Sequence, residues 1–206
     1  MFKKPVSQLR KDDLGEVVGA AETDSVEFKR DAYGKADEDV REFLRDISSM
    51  ANAVGGHLLI GVETDGEERA IALPGIENAG EEALRMMSMT RANIEEQMIG
   101  FDIGVVDIGS GRGVIICYVP RSTRAPHQIT YKGLFQCWKR HGRLKAKMTI
   151  EEIRESCIRV ENIRQNLEEF SRYAANRIWN AYGLEDCPLF DAKGEFDPKG
   201  IDQMWL

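Results

Sequence analysis

The chain has 206 residues, 42% of them apolar and 31% charged, which is enough for one domain with a substantial core and an appendage and cramped for two full domains. A formal net charge of −7 excludes a protein coated all over with basic residues to bind nucleic acid, although averages hide patches. Met1-Phe2-Lys3-Lys4-Pro5 has charge with no apolar stretch after it and no run approaches the length of a membrane span, so a cytoplasmic chain without membrane contact is expected.

Residues 7–18 carry a short helical pattern (Leu9, Leu14, Val17, Val18) suited to packing beside the first strand. Residues 25–30 alternate, with Val26 and Phe28 on one face and Glu27 and Lys29 on the other; the spacing predicts a half-buried strand that presents its charged face. Over residues 37–54, Val40, Phe43, Leu44, Ile47, Ala51 and Val54 form a helical stripe, opened by Asp37, Glu38 and Asp39 at the positive end of the helix dipole and stopped by Gly55. Residues 57–62 lack polar alternation after His57 and read as a strand covered on both faces.

A turn follows at residues 64–68, then a short strand over 69–73 and a second helix over 77–98 with Ala83, Leu84, Met87, Ile94 and Met98 towards the core. Residues 101–108 and 114–119 flank a glycine loop as an antiparallel hairpin, and short strands are expected near 128–131 and 134–140. Thr149-Ile150-Glu151-Glu152 is a capping box that starts a third helix. Its stripe through Ile153, Cys157, Val160, Ile163, Leu167, Phe170, Ala174, Ile178 and Ala181 is too long for so small a domain to hide, which implies a packing surface for another helix. Gly183 ends that helix, and the tail closes on Met204-Trp205-Leu206.

The expected fold is therefore α+β, a β-α-β-α-β-β core with extra short strands over residues 1–148, a long C-terminal helix over 149–182 and a tail over 183–206. Several motifs join in one signature: Glu22, five residues on Glu27-Phe28-Lys29, a helix ending Ala51-Asn52-Ala53-Val54-Gly55-Gly56, and a strand ending Gly61-Val62-Glu63-Thr64-Asp65. Pro126-His127 followed by Trp138-Lys139-Arg140-His141-Gly142 adds a later motif. Over roughly residues 5–155 this resembles the Schlafen family's Alba-like nucleic-acid-binding domain, also called "divergent AAA", whose element order is the one predicted.

The resemblance implies that Glu22 and Glu27 belong to a metal-dependent acidic cluster completed from the turn after the second strand by Glu63 or, preferably, Asp65. Phosphodiester hydrolysis needs a hard divalent cation, Mg or Mn, on oxygen ligands, and Lys29 could offset charge on the phosphate. The plainer reading keeps Glu22, Glu27, Lys29, Glu63 and Asp65 as solvated strand and turn residues. If the two strands run parallel, Glu22 joins the others only where the chain before the first strand folds back.

Residues 120–148 hold Arg121, Arg124, Lys132, Lys139, Arg140, Arg143, Lys145 and Lys147 with no Asp or Glu, and these are the expected phosphate contacts. Tyr131 and Phe135 are candidates for stacking on bases, while Trp138 reads as core first. His57 and His127 read as structural, and Asn52 as fixing the Gly55-Gly56 turn. Cys117, Cys137, Cys157 and Cys187 are too widely spaced for a zinc knuckle or a redox pair. With no Walker-type loop, no ATP site is recognised.

The leading expectation is a nucleic-acid-binding subunit with metal-dependent nuclease activity on RNA or DNA, within a homo-oligomer or larger assembly built through the 149–182 helix. Antiviral defence rests on family analogy. The alternatives are a non-catalytic DNA-binding regulator, a scaffold partnering an ATPase, or a protein-binding adaptor.

Overall fold

The computed structural model describes residues 1–182. Met1–Ser156 form one compact unit, and a second begins at Cys157. In chain order the strands are β1 (Val26–Lys29), β2 (Gly56–Ile60), β3 (Glu63–Thr64), β4 (Ala70–Ala72), β5 (Ile76–Glu77), β6 (Ile94–Glu95), β7 (Asp102–Gly109), β8 (Arg112–Val119), β9 (Gln128–Ile129), β10 (Gln136–His141) and β11 (Leu144–Lys147). The helices are α1 (Asp37–Ala51), α2 (Ala79–Asn93) and α3 (Ile150–Tyr182). The fold is α+β, as the sequence predicts. The expected helix over residues 7–18 is instead two short 3₁₀ segments, Val6–Gln8 and Lys11–Glu16.

The larger sheet is built on β8. On one edge β8 pairs with β2 and then β5, and on the other with β7; β1 lies outside β2 and parallel to it. Gly56 makes the β1–β2 approach possible: its φ is +145°, and a Cβ there would collide with the Ser25 carbonyl. β7 and β8 meet through Ser110 and Gly111, both at positive φ, the two-residue turn that matches strand twist.

Both faces of this sheet are covered. Leu58, Ile60, Ile115 and Cys117 pack with Phe43, Leu44 and Ile47 of α1 and Met86 of α2, whereas Leu59, Ile116 and Val114 pack with Val6, Leu9, Leu14 and Val17 from the N-terminal segment. β2 is thus the doubly covered strand that its unbroken apolar run implies.

α2 stops at Asn93, short of the expected 98. Ile94 leaves helical geometry to pair with Ile129, and the Thr130 amide donates to the Asn93 carbonyl at 2.9 Å. β6, β9, β10 and β11 form a second antiparallel sheet, and α1 packs against its β10–β11 hairpin. α3 starts as its capping box requires, with Thr149 and Glu152 exchanging hydrogen bonds of 2.9 and 3.2 Å. Along its later part Leu167, Phe170 and Tyr173 are exposed. The tail 183–206, with Gly183, Cys187, Met204, Trp205 and Leu206, lies outside the described residues.

Candidate nucleic-acid interface

The alternation of β1 sends Val26 and Phe28 into the N-terminal core and turns Glu27 and Lys29 towards α1 and the β10–β11 hairpin. The expectation that this charged face is presented to solvent is corrected: Glu27 is buried. One of its oxygens lies 3.1 Å from Lys29 Nζ and 3.9 Å from Lys145 Nζ, and the other rests against Arg140 Nη2. Asp46 of α1, fully buried, receives Lys145 on one oxygen and the Tyr33 hydroxyl at 2.5 Å on the other. Lys29 also reaches Glu42 at 3.2 Å and Asp46 at 3.9 Å. The formal charges of Glu27, Glu42 and Asp46 are thus balanced by Lys29, Arg140 and Lys145, the condition under which buried ions are tolerated.

Burial, with the Asp46 carboxylate beside it, pushes the Tyr33 hydroxyl well above its ordinary pKa, so it remains a donor. Burial also lowers the pKa of Arg140, opposed by Glu22 and Asp24. Asp46, Glu42 and Tyr33 were not singled out from sequence. The available signal was Asp46 itself, an acid set among Phe43, Ile47 and Met50 on the buried arc of an amphipathic helix.

The chain before β1 does fold back. Residues 19–22 run against 68–70 through backbone hydrogen bonds, and the Glu22 carboxylate accepts from the Phe28 amide at 2.8 Å. Yet the expected cluster does not gather. Glu63 pairs with Arg30 at 3.5 Å, and Asp65 accepts from the amides of Glu67 and Arg69 at 2.8 and 2.9 Å, which holds its carboxyl below the usual range. Among the described residues no group of three His, Cys, Asp or Glu side chains is placed to hold a metal ion. As arranged, Glu22, Glu27, Glu63 and Asp65 do not fit Mg or Mn, because each carboxylate is committed elsewhere and Glu27 is ringed by cations.

The basic segment divides. Lys132 pairs with Asp37 at 2.6 Å, Lys139 with Glu152 at 3.5 Å, Arg143 with Glu68 and Lys145 with Asp46. Arg140 corrects the expectation of phosphate contact, since it is buried on Glu27. Arg121 and Arg124, on the loop after β8, are exposed and have no carboxylate partner among the described residues, and neither has Lys147, which lies 5.9 Å from the Trp138 ring. Phe135 is exposed, whereas Trp138 is half-buried beneath Arg45, 5.1 Å from its ring. Tyr131 packs on the core and donates to Asp37 at 2.9 Å.

Asn52 also departs from expectation. It accepts from the His127 amide at 2.7 Å and donates to the carbonyls of His127 and Trp138 at 3.0 and 2.9 Å, fastening the distant hairpin sheet to the end of α1. His127, fully buried, donates from Nδ1 to the Glu96 carbonyl at 2.5 Å, and burial lowers its pKa.

These features define an α+β domain with a charge-filled seam between two sheets and exposed arginines on the loop after its central strand. The chain belongs to the Schlafen AlbA_2 family, whose sequence profile it matches over residues 22–149. Among solved structures it is similar to the DIP2311 protein of Corynebacterium diphtheriae, at 19% identity and a TM-score of 0.43, over 86% of this chain and 34% of that one. This chain therefore spans about a third of that protein's length. It is also similar to the N-terminal domain of a RecG-related protein from Nitrosomonas europaea, at 17% identity and a TM-score of 0.44, over 68% of this chain and 88% of that one. No curated protein matches it. The family points to a nucleic-acid-related role, and no described helix is long and apolar enough to cross a membrane.

Proposed function

We propose that the chain is a nucleic-acid-binding domain that engages phosphates through Arg121 and Arg124, without hydrolysing them in the arrangement described. The observation that carries this reading is the division of the basic segment. Lys132, Lys139, Arg140, Arg143 and Lys145 are matched by carboxylates and Lys147 lies over the Trp138 ring, while Arg121 and Arg124 stand exposed on one loop without a carboxylate partner among the described residues. Exposed guanidinium groups neutralise phosphates and release counterions, so binding weakens with salt. The cationic surroundings of Glu27 favour binding over metal-assisted cleavage.

Leu167, Phe170 and Tyr173, exposed on α3, support a role inside an oligomer or larger assembly. Antiviral defence and an ATPase partner follow from family analogy alone. The test is salt-dependent binding of single-stranded and duplex oligonucleotides, combined with a cleavage assay in Mn²⁺. The reading expects association weakened by Arg121→Ala and Arg124→Ala, and no cutting.

A further inference from the structure

At the end of the larger sheet, a cavity of about 340 Å³ is lined by Phe2, Lys3, Pro5, His57, Asp102 and Tyr118. The register explains its composition. His57 on β2 lies opposite Tyr118 on β8, which lies opposite Asp102 on β7, so three side chains form one row across three strands. Two residues further along, Leu59 and Ile116 belong to the core covered by the N-terminal segment. Beyond that cover the row turns polar and aromatic and opens to solvent.

His57 is 7% exposed and makes no side-chain hydrogen bond to any described residue. Its neighbours are rings: Phe2 edge-on at 5.5 Å and Tyr118 tilted at 5.3 Å. Its ring nitrogens are not among the fully buried polar atoms left without a partner, so they stay in contact with solvent and are open to a ligand. The same cavity is lined by the Asp102 carboxylate, the Tyr118 phenol and Lys3. Lys4 is already held by Asp13 at 2.6 Å.

Flat aromatic walls, a donor-acceptor imidazole and a lysine in the lining select a planar heteroaromatic ring attached to an anion. The volume is at the small end of the roughly 300–1,000 Å³ range of ligand sites, which suits one ring system and cannot admit a stacked duplex. The same strand, β8, leads from Tyr118 directly into the loop that carries Arg121 and Arg124. Resting on the nucleic-acid-binding reading above, we propose that this cavity receives one unpaired nucleobase of a single strand whose backbone lies across Lys3 and Arg121. Tyr118 and Phe2 supply the stacking surface, and His57 with Asp102 meets the edge of the base.

The experiment is fluorescence anisotropy with a short labelled single strand and with its duplex, on the full chain and on Tyr118→Ala, Tyr118→Phe and Arg121→Ala. Tyr118 is 38% exposed, so its truncation leaves the core intact. The expected result is a loss of single-strand affinity of about fivefold or more for Tyr118→Ala, retention for Tyr118→Phe, and unchanged duplex binding. Arg121→Ala weakens both. Single-strand affinity within twofold of wild type for Tyr118→Ala, or an equal loss on duplex, overturns the base site while leaving the phosphate-binding reading in place. Wild-type protein that binds neither probe overturns both.

Discussion

Nη2 of Arg140 on β10 rests against Oε2 of Glu27 on β1, and the two side chains keep only 4% and 7% of their surface exposed. The contact joins the hairpin sheet to the edge of the larger sheet, and each ion depends on the other to remain charged out of water. Arg140→Ala leaves Glu27 with Lys29 and Lys145 but without its nearest partner, and should cost about 3 kcal/mol in urea unfolding. The double change Glu27→Gln with Arg140→Met removes the stranded charge, and should recover more than half of that loss.

Asn52 is the second fastening between the same parts. Asn52→Ala strands the buried His127 amide and two carbonyl partners, and should lower stability by about 3 kcal/mol. Hydrogen exchange will show the loss concentrated in β9 and β10, with β2 and β8 less affected. Uniform loss would mean that Asn52 serves the whole fold and not the hairpin sheet.

Burial pushes the pKa of His57 down from 6.5 to about 4. The unfolded chain therefore takes up a proton between those values that the folded chain refuses, so the contribution of His57 is complete above pH 6.5 and is lost as pH falls towards 4. Discounting for the solvent at the cavity mouth, the effect is about 2 kcal/mol. Chemical denaturation of wild type and His57→Phe across this range will test it: wild type should lose about 2 kcal/mol relative to the variant as pH falls from 6.5 towards 4, and a constant difference would show that the ring titrates normally.

The carboxylates make a separate prediction. With Glu22 on the Phe28 amide, Asp65 on its own turn and Glu27 among cations, adding Mn²⁺ should produce no cleavage of single-stranded or duplex substrates. Glu22→Ala and Glu27→Ala should then differ from wild type in stability alone. Cutting that disappears in Glu27→Ala while binding persists would establish a rearranged, metal-loaded state.

Much of this fold was legible because it depends on local pattern: the stripe of α1, the unbroken apolar run of β2, the glycine turn of the β7–β8 hairpin and the Thr149–Glu152 cap. What was not legible depends on how distant segments lie together. Twenty-nine consecutive positions without an acid, residues 120–148, read as a basic surface because nothing local reveals that the hairpin closes on Glu27 and Asp46. Likewise the alternation of β1 assigns Glu27 to a face, but what covers that face is decided by α1 and β10. Asn52 looked like a turn residue because its partners, His127 and Trp138, arrive from far along the chain.

The most direct test of nucleic-acid binding at the loop after β8 is the slope of log association constant against log salt for a single-stranded oligonucleotide. Wild-type protein should bind with a clear negative slope, Arg121→Ala and Arg124→Ala should each reduce its magnitude by roughly one phosphate contact, and the double variant by about two. An unchanged slope in the double variant, with folding intact, would place the contact elsewhere and contradict the account.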